Sequence, residues 1–292
     1  MEKAEERLRW GMEQRLEFIE FKAFWEGAVN RSDITQRFGV SVPQASNDLT
    51  LYQKMAANNL RYDSSEKRYA PTDGFSPRFL KPDADRYLSQ LKAASDHVLS
   101  IGDTGIARPP DFDAMPVPTR RIDPAALKRL VAAIRNKRSI EILYQSMNPK
   151  RPEGIWRRVT PHAIAHDGLR WHVRAYCHLE SKFKDFIISR CRDFREEGAP
   201  GAKGSDDRQW ATSFDVILKP NPALTAAQQE TIALDYEMTD GFTRTRVRCA
   251  LLYYFEKRLR LDIDATKDRP SEKPVVIHNR DEFDRARDAA MA

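Results

Sequence analysis

Three observations in the sequence predict a multidomain α+β fold. At 292 residues the chain exceeds one ordinary hydrophobic core. Its apolar spacing is helical near the N-terminus and shifts to a two-residue period in the middle. Two stretches rich in Pro, Gly and small polar residues, 101–121 and 196–209, interrupt both patterns. These breaks predict a unit over 1–80, a helical segment with a Pro-rich linker over 81–121, a β-rich unit over 122–198, and a small α+β unit over 206–292.

The first unit opens with a long amphipathic helix from Glu5 to Trp25, carrying Leu8, Met12, Leu16, Ile19 and Phe24 at helical spacings. A short helix follows from Ser32, read as its N-cap, to Phe38, with Gly39 as the left-handed exit. Ser41 caps a third helix, which has Pro43 in its first turn and runs to about Ala57. Then come "LRY" (60–62) and "RYA" (68–70) around the polar "DSSEK", a hairpin pattern. Helix, helix, turn, helix, hairpin is the order of a winged helix-turn-helix. A further helix is expected from Asp83 to Ser100.

Beyond the first linker, Asp123 caps and Pro124 starts an amphipathic helix with Leu127, Leu130, Val131 and Ile134 on one face. Strand patterns follow at 140–146, 156–168, 169–177 and 184–194, with a turn at Asp167-Gly168. Several short strands after one helix predict a small, strongly bent β-barrel or sheet. The last unit shows a strand (Phe214–Leu218), a helix opened by Thr225, a strand (Phe242–Arg248) and a helix around Leu251–Leu259.

Composition narrows the function classes. A net charge of +6 permits contact with nucleic acid without demanding it, so the position of the charges matters more than their sum. Cys177, Cys191 and Cys249 have neither disulfide nor metal-finger spacing, and an odd count suits a reducing cytoplasm. The opening "MEKAEERLRW" lacks the apolar core of a secretion signal, and no run of about 18 apolar residues offers a membrane span. The histidines at 162, 166, 172 and 178 lack the glutamate or paired cysteines of a zinc site, and Ser146 lacks a nucleophile-elbow pattern. The expectation is a cytoplasmic, non-enzymatic protein with no cofactor and no metal.

Two binding faces remain. Ser41, Pro43, Gln44, Ser46 and Asn47 lie on the early, exposed part of the third helix, where a recognition helix meets base edges, and Gln and Asn make bidentate contacts to adenine. Arg61, Lys67 and Arg68 make the hairpin a basic wing suited to the phosphate backbone. In the middle unit, "RWHVRAY" alternates so that His172, Arg174 and Tyr176 share one face. With Tyr144 and Ser146 on one neighbouring strand and Arg190 on another, these groups suit a ligand carrying phosphate and base. The competing reading has Arg174 and Arg190 ion-paired with Asp185 or Glu141, stiffening the sheet. Arg244, Arg246 and Arg248 read as a solvated strand face.

"IEILYQS", "RRVTPHAIAHDGLRWHVRAY" and "KDFIISR" resemble, in order, the strand blocks of the WYL domain family, with its namesake tripeptide altered to Trp171-His172-Val173. Together with "SVPQASNDL" they resemble the WYL transcriptional regulators found beside BREX and CBASS phage-defence systems. The resemblance covers nearly the whole chain. It implies a homodimeric repressor of a phage-defence locus that binds a palindromic duplex operator. It also implies an Sm- or SH3-like barrel as ligand sensor and a C-terminal extension domain that aids dimerisation. Family pocket positions carry over to Tyr144, Ser146, His162, Arg174 and Arg190, joined by His172. A nucleotide or nucleic-acid ligand is expected there, and no membrane partner. The alternative is a single-stranded nucleic-acid-binding accessory protein, since small barrels of this kind hold single strands on basic and aromatic surfaces.

Overall fold

The computed structural model describes residues 2–149, 152–262 and 269–291, with side chains from Trp10 onward, and divides into two compact units, 1–117 and 118–292. In the first, α1 (Glu2–Glu26), α2 (Arg31–Phe38) and α3 (Val42–Met55) precede the antiparallel hairpin of β1 (Leu60–Asp63) and β2 (Arg68–Pro71). A further helix, α4 (Ala84–Ser95), is capped by Asp83. Leu16, Ile19, Ile34, Ala45, Leu49 and Tyr52 form its core. The Leu8 side chain lies outside the described residues; Phe24 is exposed, and Ala23 takes the inward position one residue earlier. This is the winged helix-turn-helix that the element order predicts.

Ser32 does not cap α2. Asn30 does, accepting from the Asp33 N–H while the Asp33 carboxylate accepts from the Asn30 N–H, and the Ser32 hydroxyl donates to the Asn30 side chain. A capping box needs an acidic or amide side chain three residues on, and only Asn30 has one so placed. Gly39 leaves α2 at φ +65°, and Ser41 caps α3 through the Gln44 N–H. The fully buried Glu20 binds this unit together, accepting from the Tyr52 hydroxyl on α3 and from the N–H groups of Arg78, Phe79 and Leu80 beyond the wing.

The second unit begins with α5 (Pro124–Arg135), capped by Asp123. Ala126, Leu130 and Ala133 pack on a five-stranded antiparallel sheet of order β6-β5-β4-β3-β7, while Leu127 stays exposed. Its strands are β3 (Ser139–Tyr144), β4 (Ile155–His166), β5 (Trp171–Cys177), β6 (Lys182–Ile187) and β7 (Cys191–Gly198). The apolar run 184–194 is two strands, broken by a 3-10 turn at Ile188–Arg190. That turn carries the chain from one sheet edge to the other, and there the Gln145 N–H donates to the Arg190 carbonyl, so the sheet bends back on itself.

The chain ends in α6 (Arg208–Ala211), β8 (Ser213–Pro220), α7 (Ala226–Asp235), β9 (Thr243–Arg248), α8 (Leu252–Arg258), β10 (Val275–Ile277) and α9 (Arg280–Met291). Here the strand order is β10-β8-β9, over a core that includes Val216, Leu218, Leu252 and Phe283. β10 and α9 have no counterpart in the sequence reading. Among the described residues no helix is long and apolar enough to cross a membrane.

Candidate functional site

On α3, Ser41 and Pro43 are exposed and Asn47 points to solvent. Gln44 is half-buried, and its amide donates to Asp48 at 3.0 Å. Asp48 is itself gripped by Arg15 of α1, through Nε at 2.7 Å and Nη2 at 3.2 Å. The Ser46 hydroxyl bonds back to the Val42 carbonyl. The five predicted residues therefore lie along one stretch of α3, with Asn47 the freest to reach a ligand and Gln44 tied into the helix interface. In the wing, Arg61 and Lys67 are exposed, and Arg68 lies 4.0 Å from Glu66. Asp63 folds the tip by accepting from Ser65 and Glu66.

On β5 the predicted alternation holds. Val173, Ala175 and Cys177 enter the core, and His172, Arg174 and Tyr176 take the opposite face. That face is covered: His172 and Arg174 are only 2% and 4% exposed. His172 Nε2 meets Asp167 at 2.8 Å, and its ring lies 4.9 Å from Tyr254 of α8. Arg174 donates Nε and Nη2 to the two oxygens of Asp207 at 2.7 and 3.2 Å, and its Nη1 lies 3.4 Å from Asp185. His162 joins the same group, with Nε2 3.0 Å from Asp207. Its position comes from a bulge in β4: Pro161 pairs with Ala175 and Ala163 with Arg174, which leaves His162 as the extra residue.

The electrostatics follow from this packing. Burial would raise the Asp207 carboxyl, but hydrogen bonds from His162 and Arg174 and the Arg174 charge outweigh it and hold the group well below the carboxylate range. Asp167 is held low in the same way, its burial outweighed by hydrogen bonds from His172, Leu169 and Arg170. Asp185 goes the other way, because desolvation outweighs the attraction of Arg174 and raises it.

Tyr144, Ser146 and Arg190 are not part of this group. The Tyr144 ring packs in the core, edge-on to Phe186, with its hydroxyl accepting from the Ile187 N–H and close to Arg190. Ser146 is half-buried, and its hydroxyl accepts from the Asn148 N–H. Arg174 thus follows the ion-pairing alternative in meeting Asp185, and Arg190 sits beside the Tyr144 phenol.

What the sequence reading missed is the lid. Residues 199–211, read there mostly as linker, lie across the His-Arg-Tyr face. The Gly201 N–H donates to Thr160, whose hydroxyl meets His178. A Cβ on Gly201 would come within 2.7 Å of the His178 ring, and one on Gly204 within 2.8 Å of the His162 Cβ. These glycines permit close approach, and the only local signal for it was their count. Beside the lid a cleft of about 570 Å³ opens between β6 and the C-terminal helices. Phe183, Arg174, Arg208, Tyr253, Tyr254 and Arg287 are among its lining residues.

Three family models match the chain. The BrxR transcriptional regulator winged helix-turn-helix domain matches residues 11–93, the WYL domain 125–196, and the BrxR transcriptional regulator C-terminal dimerization domain 213–283. Over 283 residues the chain is 39% identical to the DNA-binding transcriptional repressor CapW of Pseudomonas aeruginosa, covering 96% of this chain and 93% of that one. It is 37% identical over 283 residues to the CapW repressor of Escherichia coli (strain KTE188), covering 97% and 94%. With the CapW repressor of Stenotrophomonas maltophilia the identity is 37% over 279 residues, covering 94% and 92%.

Proposed function

The chain belongs to the family of the BrxR and CapW transcriptional regulators, and from that premise we propose that it is a homodimeric, non-enzymatic DNA-binding repressor. The observation that carries the reading is the exposed start of α3 beside a wing that presents Arg61 and Lys67, on a scaffold alignable over 96% of its length with a named repressor. Ser41, Pro43, Gln44, Ser46 and Asn47 enter the major groove, and Arg61, Lys67 and Arg68 grip the flanking phosphates. One winged helix reads few base pairs, so a two-fold dimer and a palindromic operator supply the specificity. The domain bounds proposed above, 1–80, 81–121, 122–198 and 206–292, separate a DNA reader from a ligand sensor and a dimerisation unit.

The sensor is the WYL domain. Its ligand is a nucleotide or nucleic-acid fragment bound through Arg174, His162 and His172, with Tyr144, Ser146 and Arg190 as further contacts, and the regulated locus is one of phage defence. Footprinting on DNA upstream of the chain's own gene, with and without nucleotides and oligonucleotides, tests the whole reading. Protection of a palindrome that these additions change is the expected result; protection of single strands in preference to duplex would replace the repressor with an accessory protein.

A further inference from the structure

Within that ligand-sensing reading, we propose that the anion site on the β5 face is self-occupied: Asp207 is an internal ligand, and an incoming phosphodiester takes its place on Arg174 and His162, lifting the 199–211 lid.

The geometry of Asp207 is that of a bound anion. Its carboxylate receives a side-on, two-point contact from the Arg174 guanidinium and a third contact from His162, the arrangement in which these side chains hold phosphate oxygens. The carboxylate is delivered from a lid rather than from the sheet, and it is 1% exposed there. Besides that pair, the Trp210 ring of the lid packs edge-on against His162, with 6.0 Å between ring centroids. Gly201 and Gly204 add no side chain, and the Gly201 N–H makes one hydrogen bond to Thr160. Exchange of the Asp207–Arg174 pair removes the two-point ion pair that ties the lid to the sheet, while α6 stays joined to the C-terminal elements through Gln209 to the Ala289 carbonyl and Arg248 to the Trp210 carbonyl.

Charge balance selects the ligand class. Asp207 brings one negative charge to a buried arginine that already has Asp185 3.4 Å away. A phosphodiester also brings one, so the exchange leaves the buried charge unchanged, whereas a phosphate dianion would add a charge next to Asp185. The cleft supplies the approach. Arg174 and Asp207 both line it, together with Arg208 and the aromatic residues Phe183 and Tyr253. Release has a mechanical consequence, because Asp207 also accepts from the Trp210 N–H at the start of α6, which leads directly into β8 of the C-terminal unit. An exchange at Arg174 therefore loosens the joint between the sensor sheet and the unit matched by the dimerization model.

The test uses the full-length protein, a fluorescent short oligothymidylate, its uncharged methylphosphonate analogue, and a 3′,5′-cyclic mononucleotide as a phosphodiester without a chain. Asp207→Asn removes the competing charge. Gly204→Ala pushes the lid off His162 without altering any charge. Both variants are expected to bind a charged phosphodiester tighter than wild type, by about ten- to a hundred-fold for Asp207→Asn, the equivalent of one charge-assisted contact. Amides of 199–211 should exchange faster in the ligand-bound wild type. Tightening only toward the oligonucleotide, or only toward the cyclic nucleotide, identifies the source and supports the exchange. Unchanged affinity in both variants, or equal tightening toward the uncharged analogue, overturns it. If the variants tighten as expected and bound phosphodiester leaves operator affinity unaltered, the self-occupied site stands and the ligand-control reading fails.

Discussion

The alternation of "RWHVRAY" shows which side chains share a face of β5, but not what covers that face. An imidazole, a guanidinium and a phenol in a row are unusual for a solvent face, and the structure explains the first two by burial against Asp207, Asp185 and Tyr254, while the Tyr176 ring packs against His178 and Phe183. Asp207 and Tyr254 are 33 and 82 residues away from the groups they meet, beyond the reach of any periodicity, whereas Asp185, 11 residues on, is the partner that the ion-pairing alternative names. The burial also changes what mutation should do. Arg174→Ala leaves Asp185 and Asp207 without their buried cation, so a loss of about 3–5 kcal/mol in urea unfolding is expected. A loss under about 1 kcal/mol would mean that water reaches the site. Asp167, whose carboxylate accepts from Leu169, Arg170 and His172, gives a pH test. Its folded pKa is depressed, so its contribution is full above the unfolded value of about 3.9 and is lost as pH falls through the folded value. Asp167→Asn should cost about 1–3 kcal/mol at neutral pH, with the gap from wild type closing below about pH 4. A gap independent of pH would show that the charge is irrelevant and the turn geometry alone matters.

At the scale of elements, local signals sufficed where a cap, a turn or a period defines the element. Ser41 and Asp123 cap α3 and α5, Gly39 ends α2, and the hairpin forms around its polar tip. They failed where chain direction changes without a breaker residue: "DFIISRCRDF" contains no Gly or Pro, yet a 3-10 turn splits it because its two halves are opposite edges of one sheet. α9 was missed because only Phe283 is fully buried in a strongly charged segment. For α3 the structure ranks residues that the sequence treats alike. Asn47 is free, whereas Gln44 must give up Asp48 before reading a base. Asn47→Ala should therefore weaken operator binding by about 1–3 kcal/mol with little effect on random duplex, and Gln44→Ala should cost less. Titrations on both duplexes decide; equal losses on operator and random DNA would make Asn47 a backbone contact. Lys67→Ala should leave sequence preference intact and reduce the slope of log affinity against log salt by about 1.

Considered whole, the molecule carries separate cores in its two units. One is built on Leu16, Ile19, Ile34, Leu49 and Tyr52; the other unit holds the sheet core around Ile140, Ile142 and Val173 and the C-terminal core around Leu252 and Phe283. Each unit should consequently fold alone, and cutting near residue 117 becomes a test of how the functions are divided. The fragment 1–117 keeps α3 and the wing but lacks the region matched by the dimerization model, so sedimentation should find it monomeric. It should bind one half-site about 10²–10⁴-fold more weakly than the full chain binds the whole operator, since the second half-site then no longer adds its affinity intramolecularly. The fragment 118–292 should sediment as a dimer, ignore the operator, and still bind a phosphodiester through the β5 face. Full operator affinity from 1–117 alone would remove the need for a dimer. A monomeric 118–292 would place self-association elsewhere in the chain and separate the sensor from any change in half-site spacing, because a ligand shifts DNA affinity only through a state that both sites share.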